Sequence, residues 1–307
     1  MLKVSLASPR GFCSGVRRAV GIVEDCLKDY GAPIYVLHEI VHNRHVVSDL
    51  ERQGVVFVES LDDADITRPL IFSAHGVSET VVKKAQDMGF KTLIDATCPL
   101  VAKVHRQIRN YAQENMNIVV IGKSEHPEII GTIGQIPDYK QVRVIKKIEE
   151  IASLPFDKEA PIGFVTQTTL SVSDTKELIS ELQQNYPQLS SLKKDDICYA
   201  TTNRQAAVRA LAQECRVVVI LGSKNSSNSK QLQNVALQSG ASKAFLIDDK
   251  SEFPWESLQP EDSLGISAGA SAPEYLVQDL LDELKKHYEN IKVHDIIIAK
   301  ENVTFKK

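Results

Sequence analysis

One pattern recurs three times along the 307 residues and narrows the folds open to them: cysteine, helix-length segment, apolar run, polar loop, second apolar run, second polar loop. The cysteines are Cys13, Cys98 and Cys198. The first polar loops carry His42, His126 and Ser226, which lie 29, 28 and 28 residues after their cysteines. The second loops carry His75, Thr168 and Ser271, at offsets of 62, 70 and 73. The three helical segments bear apolar residues at i, i+3, i+4, i+7 spacing. These are Val16, Ala19, Val20, Val23 and Leu27 in the first, Val101, Val104, Ile108 and Tyr111 in the second, and Val208, Leu211, Ala212 and Cys215 in the third. Gly31 is placed to stop the first, Pro99 suits the first turn of the second, and Thr201 or Thr202 can cap the third.

Apolar runs at 3–7, 34–37, 70–73, 92–95, 118–121, 162–165, 217–221, 245–247 and 264–267 alternate with helical segments. That alternation argues for parallel sheets covered by helices. The expected fold class is therefore α/β, with three similar α/β units in a pseudo-threefold arrangement. Ligands of parallel sheets sit beyond the carboxyl ends of the strands, so three such units would share a central cavity. The expected units are 1–97, 98–197 and 198–283, with 284–307 as a C-terminal tail packing back on the core.

Bulk properties bound the function. The net charge of −4 speaks against broad nucleic-acid binding. No apolar run is long enough to span a bilayer, and the first residues lack the apolar stretch of a signal peptide, so a cytoplasmic location is expected. Five cysteines in a reducing compartment act as thiols, metal ligands or catalysts rather than staples. Cys26 and Cys215 fall on or beside apolar stripes and read as small buried hydrophobes. Cys13, Cys98 and Cys198 fall at helix N-termini, where N–H groups and the dipole favour thiolates. Three gathered thiolates could hold an iron–sulfur cluster or zinc, or be structural; the residue types leave these open.

The polar loops suit an anion. His42, His75 and His126 share strand-end positions, whereas His38, His45, His105, His287 and His294 read as surface or packed residues. The stretch 223–229 has the composition of a linker, yet it follows the buried-type run 217–221, where hydroxyl and amide donors could meet a diphosphate. Glu128, two residues from His126, is a candidate proton donor. No P-loop or dinucleotide-binding glycine motif is present in the sequence.

Nine segments, in order, carry a resemblance. They are Pro9-Arg-Gly-Phe-Cys13, Val41-His42-Asn-Arg, Ser73-Ala-His75-Gly-Val, Asp95-Ala-Thr-Cys98-Pro-Leu-Val and Glu125-His126-Pro-Glu128, then Thr166-Gln-Thr168-Thr169-Leu-Ser, Asp195-Asp-Ile-Cys198-Tyr-Ala-Thr-Thr-Asn-Arg, Gly222-Ser-Lys-Asn-Ser226-Ser-Asn228-Ser and Ser267-Ala-Gly-Ala-Ser271-Ala-Pro. With them the sequence resembles the IspH or LytB family, the 4-hydroxy-3-methylbut-2-enyl diphosphate reductases of the non-mevalonate (MEP) isoprenoid route. The resemblance implies one [4Fe–4S] cluster held by Cys13, Cys98 and Cys198, with one open iron. It implies substrate binding by His42, His75, His126, Thr168, Ser226, Ser227, Asn228 and Ser271. It implies Glu128 as proton donor with Thr169 as a helper, flavodoxin or ferredoxin as electron donor, and isopentenyl and dimethylallyl diphosphate as products.

Overall fold

The computed structural model describes residues 2–190, 196–259 and 262–307; Asp195, at the head of the segment around Cys198, lies outside them. In chain order the elements are β1 (Leu2–Ser8), α1 (Ser14–Tyr30), β2 (Ile34–Leu37), α2 (Arg44–Glu51), β3 (Val55–Val58), β4 (Leu70–Phe72), α3 (Glu79–Asp87) and β5 (Leu93–Asp95). Then come α4 (Pro99–Gln113), β6 (Asn117–Ile121), α5 (Pro127–Ile133), β7 (Val142–Ile145), β8 (Ile162–Thr166) and α6 (Val172–Asn185). The last are α7 (Tyr199–Glu214), β9 (Val217–Leu221), α8 (Ser227–Gln238), β10 (Lys243–Ile247), β11 (Ser263–Ala268), α9 (Tyr275–His287) and β12 (Ile291–Ile297). Among the described residues no helix is long and apolar enough to cross a membrane.

The strands form three sheets, with orders β10-β9-β11-β1-β12, β3-β2-β4-β5 and β7-β6-β8, and every pairing between named strands is parallel. The expected three parallel α/β units are therefore present. The first strand differs from the consecutive division read from the sequence. Residues 2–8 pair not with the sheet of their own neighbours but with Ser263–Ile266 on one side and Ile291–Ile297 on the other. By compactness the chain forms two bodies. One comprises Met1–Arg17, His42–Asp49 and Tyr199–Thr304 and holds the five-stranded sheet; the other comprises Arg18–Val41, Leu50–Cys198 and Phe305–Lys307 and holds the remaining two.

Period-two alternation explains why the central strands are apolar throughout. In β9, Val217, Val219 and Leu221 face a core with Val277, Leu280, Leu281 and Leu284 of α9, while Val218 and Ile220 face Val208 and Leu211 of α7 and Leu232 and Val235 of α8. With both faces covered, no position of the strand tolerates a polar residue. In β6, Val119 and Ile121 face Leu178 and Leu182 of α6, and Ile118 and Val120 face Val104, Ile108 and Tyr111 of α4.

The repeat extends to the way these helices seat. Tyr111 lies 13 residues after Cys98, and Leu211 lies 13 after Cys198. A Cβ on Gly163 of β8 would meet the Tyr111 ring at 2.5 Å, and one on Gly265 of β11 would meet Leu211 Cγ at 2.6 Å. In both units a strand glycine lets the helix that follows the cysteine approach the sheet at the same register. Gly31, at φ +67° with its N–H on Leu27 O, closes α1 as expected. The third helix starts at Tyr199, directly after Cys198, three or four residues earlier than caps at Thr201 or Thr202 would start it.

Candidate active site

In the first body, the loop leading to Cys13 is stitched to the end of β11. Gly11 N–H donates to Ala268 O at 3.0 Å and Cys13 N–H to Ala270 O at 3.1 Å. Cys13 Sγ accepts from Val16 N–H at 3.4 Å, so the sulfur sits over the first turn of α1. Arg204 of α7, 0% exposed, supports this loop. Its guanidinium donates to Gly11 O at 2.8 and 3.0 Å, and to Glu301 at 2.9 Å.

The polar stretch 223–229 is not a linker. Ser226 caps α8, its hydroxyl accepting from Ser229 N–H at 3.3 Å, and Ser227 and Asn228 form the first turn. Asn228 Oδ1 accepts from Ala270 N–H at 2.9 Å, and its buried Nδ2 has no hydrogen-bond partner among the described residues. An unsatisfied amide donor at a helix N-terminus, beside serine hydroxyls, is what an anion would satisfy. His42 is tied to the same region. Ser271 Oγ donates to His42 O at 2.9 Å, and Arg44 N–H donates to Ser223 Oγ at 3.0 Å.

In the second body, Glu128 is 3% exposed at the start of α5. Its Oε1 accepts from Thr168 N–H at 2.6 Å and its Oε2 from Thr168 Oγ1 at 3.0 Å. His126 caps the same helix, its Nδ1 accepting from Glu128 N–H at 3.1 Å. The imidazole proton therefore sits on Nε2, which makes that nitrogen a donor. The His75 ring stands edge-on to the His126 ring, with centroids 5.9 Å apart. Thr169 Oγ1 accepts from Gln167 Nε2 at 3.0 Å.

Cys98 caps α4, with Pro99 in the first turn, and its N–H donates to Ala74 O at 3.0 Å. Cys198 N–H donates to Thr168 O at 3.2 Å. The sequence reading gave no role to Asp196 or Lys103. The Asp196 carboxylate, its side chain 0% exposed, accepts from Lys103 Nζ at 3.1 Å and from Thr166 N–H at 3.3 Å. It thereby joins the Cys198 loop to the Cys98 helix and to the end of β8. Only the place of Asp196 two residues before a cysteine hinted at this.

No cysteine is in a disulfide. Cys26 and Cys215 are buried, and burial pushes both thiols up in pKa, which fits their reading as core residues. Cys13, Cys98 and Cys198 are instead half-buried at helix starts. Among the described residues no three His, Cys, Asp or Glu side chains gather as a single metal ion would require. The soft donors and their N–H-rich surroundings fit a thiolate-held iron–sulfur group.

A family model described as LytB protein matches residues 4–285. This chain belongs to the LytB family. Relatives in that family include the 4-hydroxy-3-methylbut-2-enyl diphosphate reductases of Phenylobacterium zucineum (strain HLK1) and Gluconobacter oxydans (strain 621H). They are 49% and 47% identical, over 99% of this chain in each case and 96% and 91% of theirs. The solved structure of the E-1-hydroxy-2-methyl-but-2-enyl-4-diphosphate reductase from Plasmodium falciparum has a TM-score of 0.94 at 35% identity, covering 100% of this chain and 95% of that one. A second solved structure, an (E)-4-hydroxy-3-methyl-but-2-enyl diphosphate reductase described as the terminal enzyme of the non-mevalonate pathway, has a TM-score of 0.67 at 31% identity over 93% and 100%. Membership of the LytB family agrees with the three parallel units.

Proposed function

We propose that this chain reductively removes the hydroxyl of 4-hydroxy-3-methylbut-2-enyl diphosphate, giving isopentenyl and dimethylallyl diphosphate. The observation that carries this reading is the full-length likeness, at 49% and 47% identity, to reductases of that substrate. Cys13, Cys98 and Cys198 would hold one [4Fe–4S] cluster through three thiolates. When bound, it supplies electrons singly and an iron open to a fourth ligand. Flavodoxin or ferredoxin would replenish those electrons, and the cytoplasm would keep the thiols reduced.

The reaction takes up two electrons and two protons, breaks the allylic C–O bond and releases water. Glu128 gives a proton at the departing oxygen, which lowers the barrier because hydroxide is a poor leaving group. Thr168, holding both carboxylate oxygens, fixes the direction of that transfer. Thr169, oriented by Gln167, assists. Protonation at either end of the remaining allyl unit accounts for two products. His42, His75, His126, Thr168, Ser226, Ser227, Asn228 and Ser271 bind the substrate, with His126 Nε2–H and Asn228 Nδ2 as donors to its diphosphate.

The test is anaerobic purification with iron, sulfide and zinc analysis, then addition of the allylic substrate with a chemical reductant. A full cluster per chain with formation of both products is expected. Stoichiometric zinc and a colourless, air-insensitive protein would turn the reading toward a hydrolase.

A further inference from the structure

His105 lies on α4 seven residues past Cys98, with its residue only 6% exposed and Nε2 lacking a hydrogen-bond partner among the described residues. Burial, with the Arg109 charge adding to it, lowers its pKa to about 4, so the ring is neutral near pH 7. A buried polar atom left unsatisfied costs stability that an apolar side chain would avoid. The ring rests on Gly76. A Cβ at Gly76 would stand 2.5 Å from His105 Cε1 and 3.2 Å from its Nε2, and Gly76 has φ +77°. From α5, a Cβ at Gly131 would stand 2.9 Å from Gly76 O. The Gly76 peptide is thus gripped between α4 and α5, directly after His75. Beside His105 lies a cavity of about 300 Å³, lined also by Val77, Thr97, Ala102 and Arg109, which gives the loop room to move if the ring is lost.

We propose that His105 is a positioning residue: acting through Gly76, it sets how far His75 stands from His126, and so the width of the pair that grips the substrate's diphosphate. This rests on the reading of those two histidines as diphosphate ligands. The position depends on ring shape, because no hydrogen bond from Nε2 takes part.

The test compares folded, iron-loaded His105→Ala, His105→Phe and Gly131→Ala proteins, with inorganic diphosphate as a competitive probe. His105→Ala should raise both KM and the diphosphate inhibition constant about tenfold with kcat changed less than about threefold, the scale of a slightly misplaced binding group. His105→Phe should bring both constants back toward wild type. Gly131→Ala, pressing Gly76 from the other side, should raise them again and stands in if His105→Ala does not fold. Unchanged constants in His105→Ala or Gly131→Ala overturn the proposal; a merely structural residue would lower the yield of folded protein and leave KM alone. Wild-type protein that is indifferent to inorganic diphosphate overturns the underlying reading, and the proposal with it.

Discussion

Glu128 accepts hydrogen bonds from the backbone N–H and the hydroxyl of one residue, Thr168. In Glu128→Gln an amide NH2 must face one of those donors, and the group has no acidic proton to give. Turnover should fall by about 10²-fold or more, the scale of a lost general acid, while iron content and substrate affinity persist. Steady-state kinetics alongside iron analysis checks this, and undiminished turnover would remove Glu128 from the mechanism. His105 gives the molecule an acid limit of its own. Its pKa falls from 6.5 to about 4 on folding, so the unfolded chain takes up the proton first. The corresponding stability is complete above pH 6.5 and is lost as pH drops toward 4, by up to about 3 kcal/mol. His105→Phe should lack that loss, so the melting-temperature gap between variant and wild type should change between pH 7 and 4.5; a constant gap would contradict it. The cysteines could be sorted from sequence because an apolar stripe and a helix start are both local patterns. The roles of His105 and Asp196 could not. Each depends on segments far along the chain, Gly76 for one and Lys103 with Thr166 for the other.

At the level of elements, the buried strands were readable and the outer ones less so. β3, β7 and β12, which the apolar runs did not reveal, each lie at the edge of a sheet. β7 and β12 mix polar with apolar residues, as a strand with an open edge can, and their signal weakens; β3 is apolar throughout and has only four residues to carry its signal. Residues 223–229 have a linker's composition, but the buried-type strand that feeds them overrules it, and the helix they open is set by the Ser226 cap. The paired seats of Tyr111 on Gly163 and Leu211 on Gly265 make a sharper test of the repeat than the cysteine offsets do. Gly163→Ala and Gly265→Ala should each destabilise by about 1–3 kcal/mol, as overpacking does. Thermal melting of the two variants checks this; a loss in only one would mean that the two helix–sheet joints are not equivalent.

Across the whole molecule, the three-unit architecture was legible because the same order of elements repeats, and the family resemblance named its chemistry. The enrolment of residues 2–8 in the sheet of β9–β11 was not, since strand pairing over such a separation leaves no local mark. The tail adds to the same sheet and supplies Glu301, the carboxylate of the fully buried Arg204. Glu301→Ala should cost about 3–5 kcal/mol, because it strands a buried guanidinium. It should also reduce iron retention, since Arg204 braces Gly11 ahead of Cys13. Melting of the iron-free protein and iron analysis of the loaded one separate the two effects.

The place of β1 between β11 and β12 also orders events in time. On the ribosome, the strands of the two smaller sheets emerge close together and can pair as they appear. β1 must stay without either neighbour until β11 has left the exit tunnel. For most of translation, then, the strand that leads into Cys13 is exposed to chaperones and to other nascent chains, and a strand made well before both its neighbours is among the last to be buried.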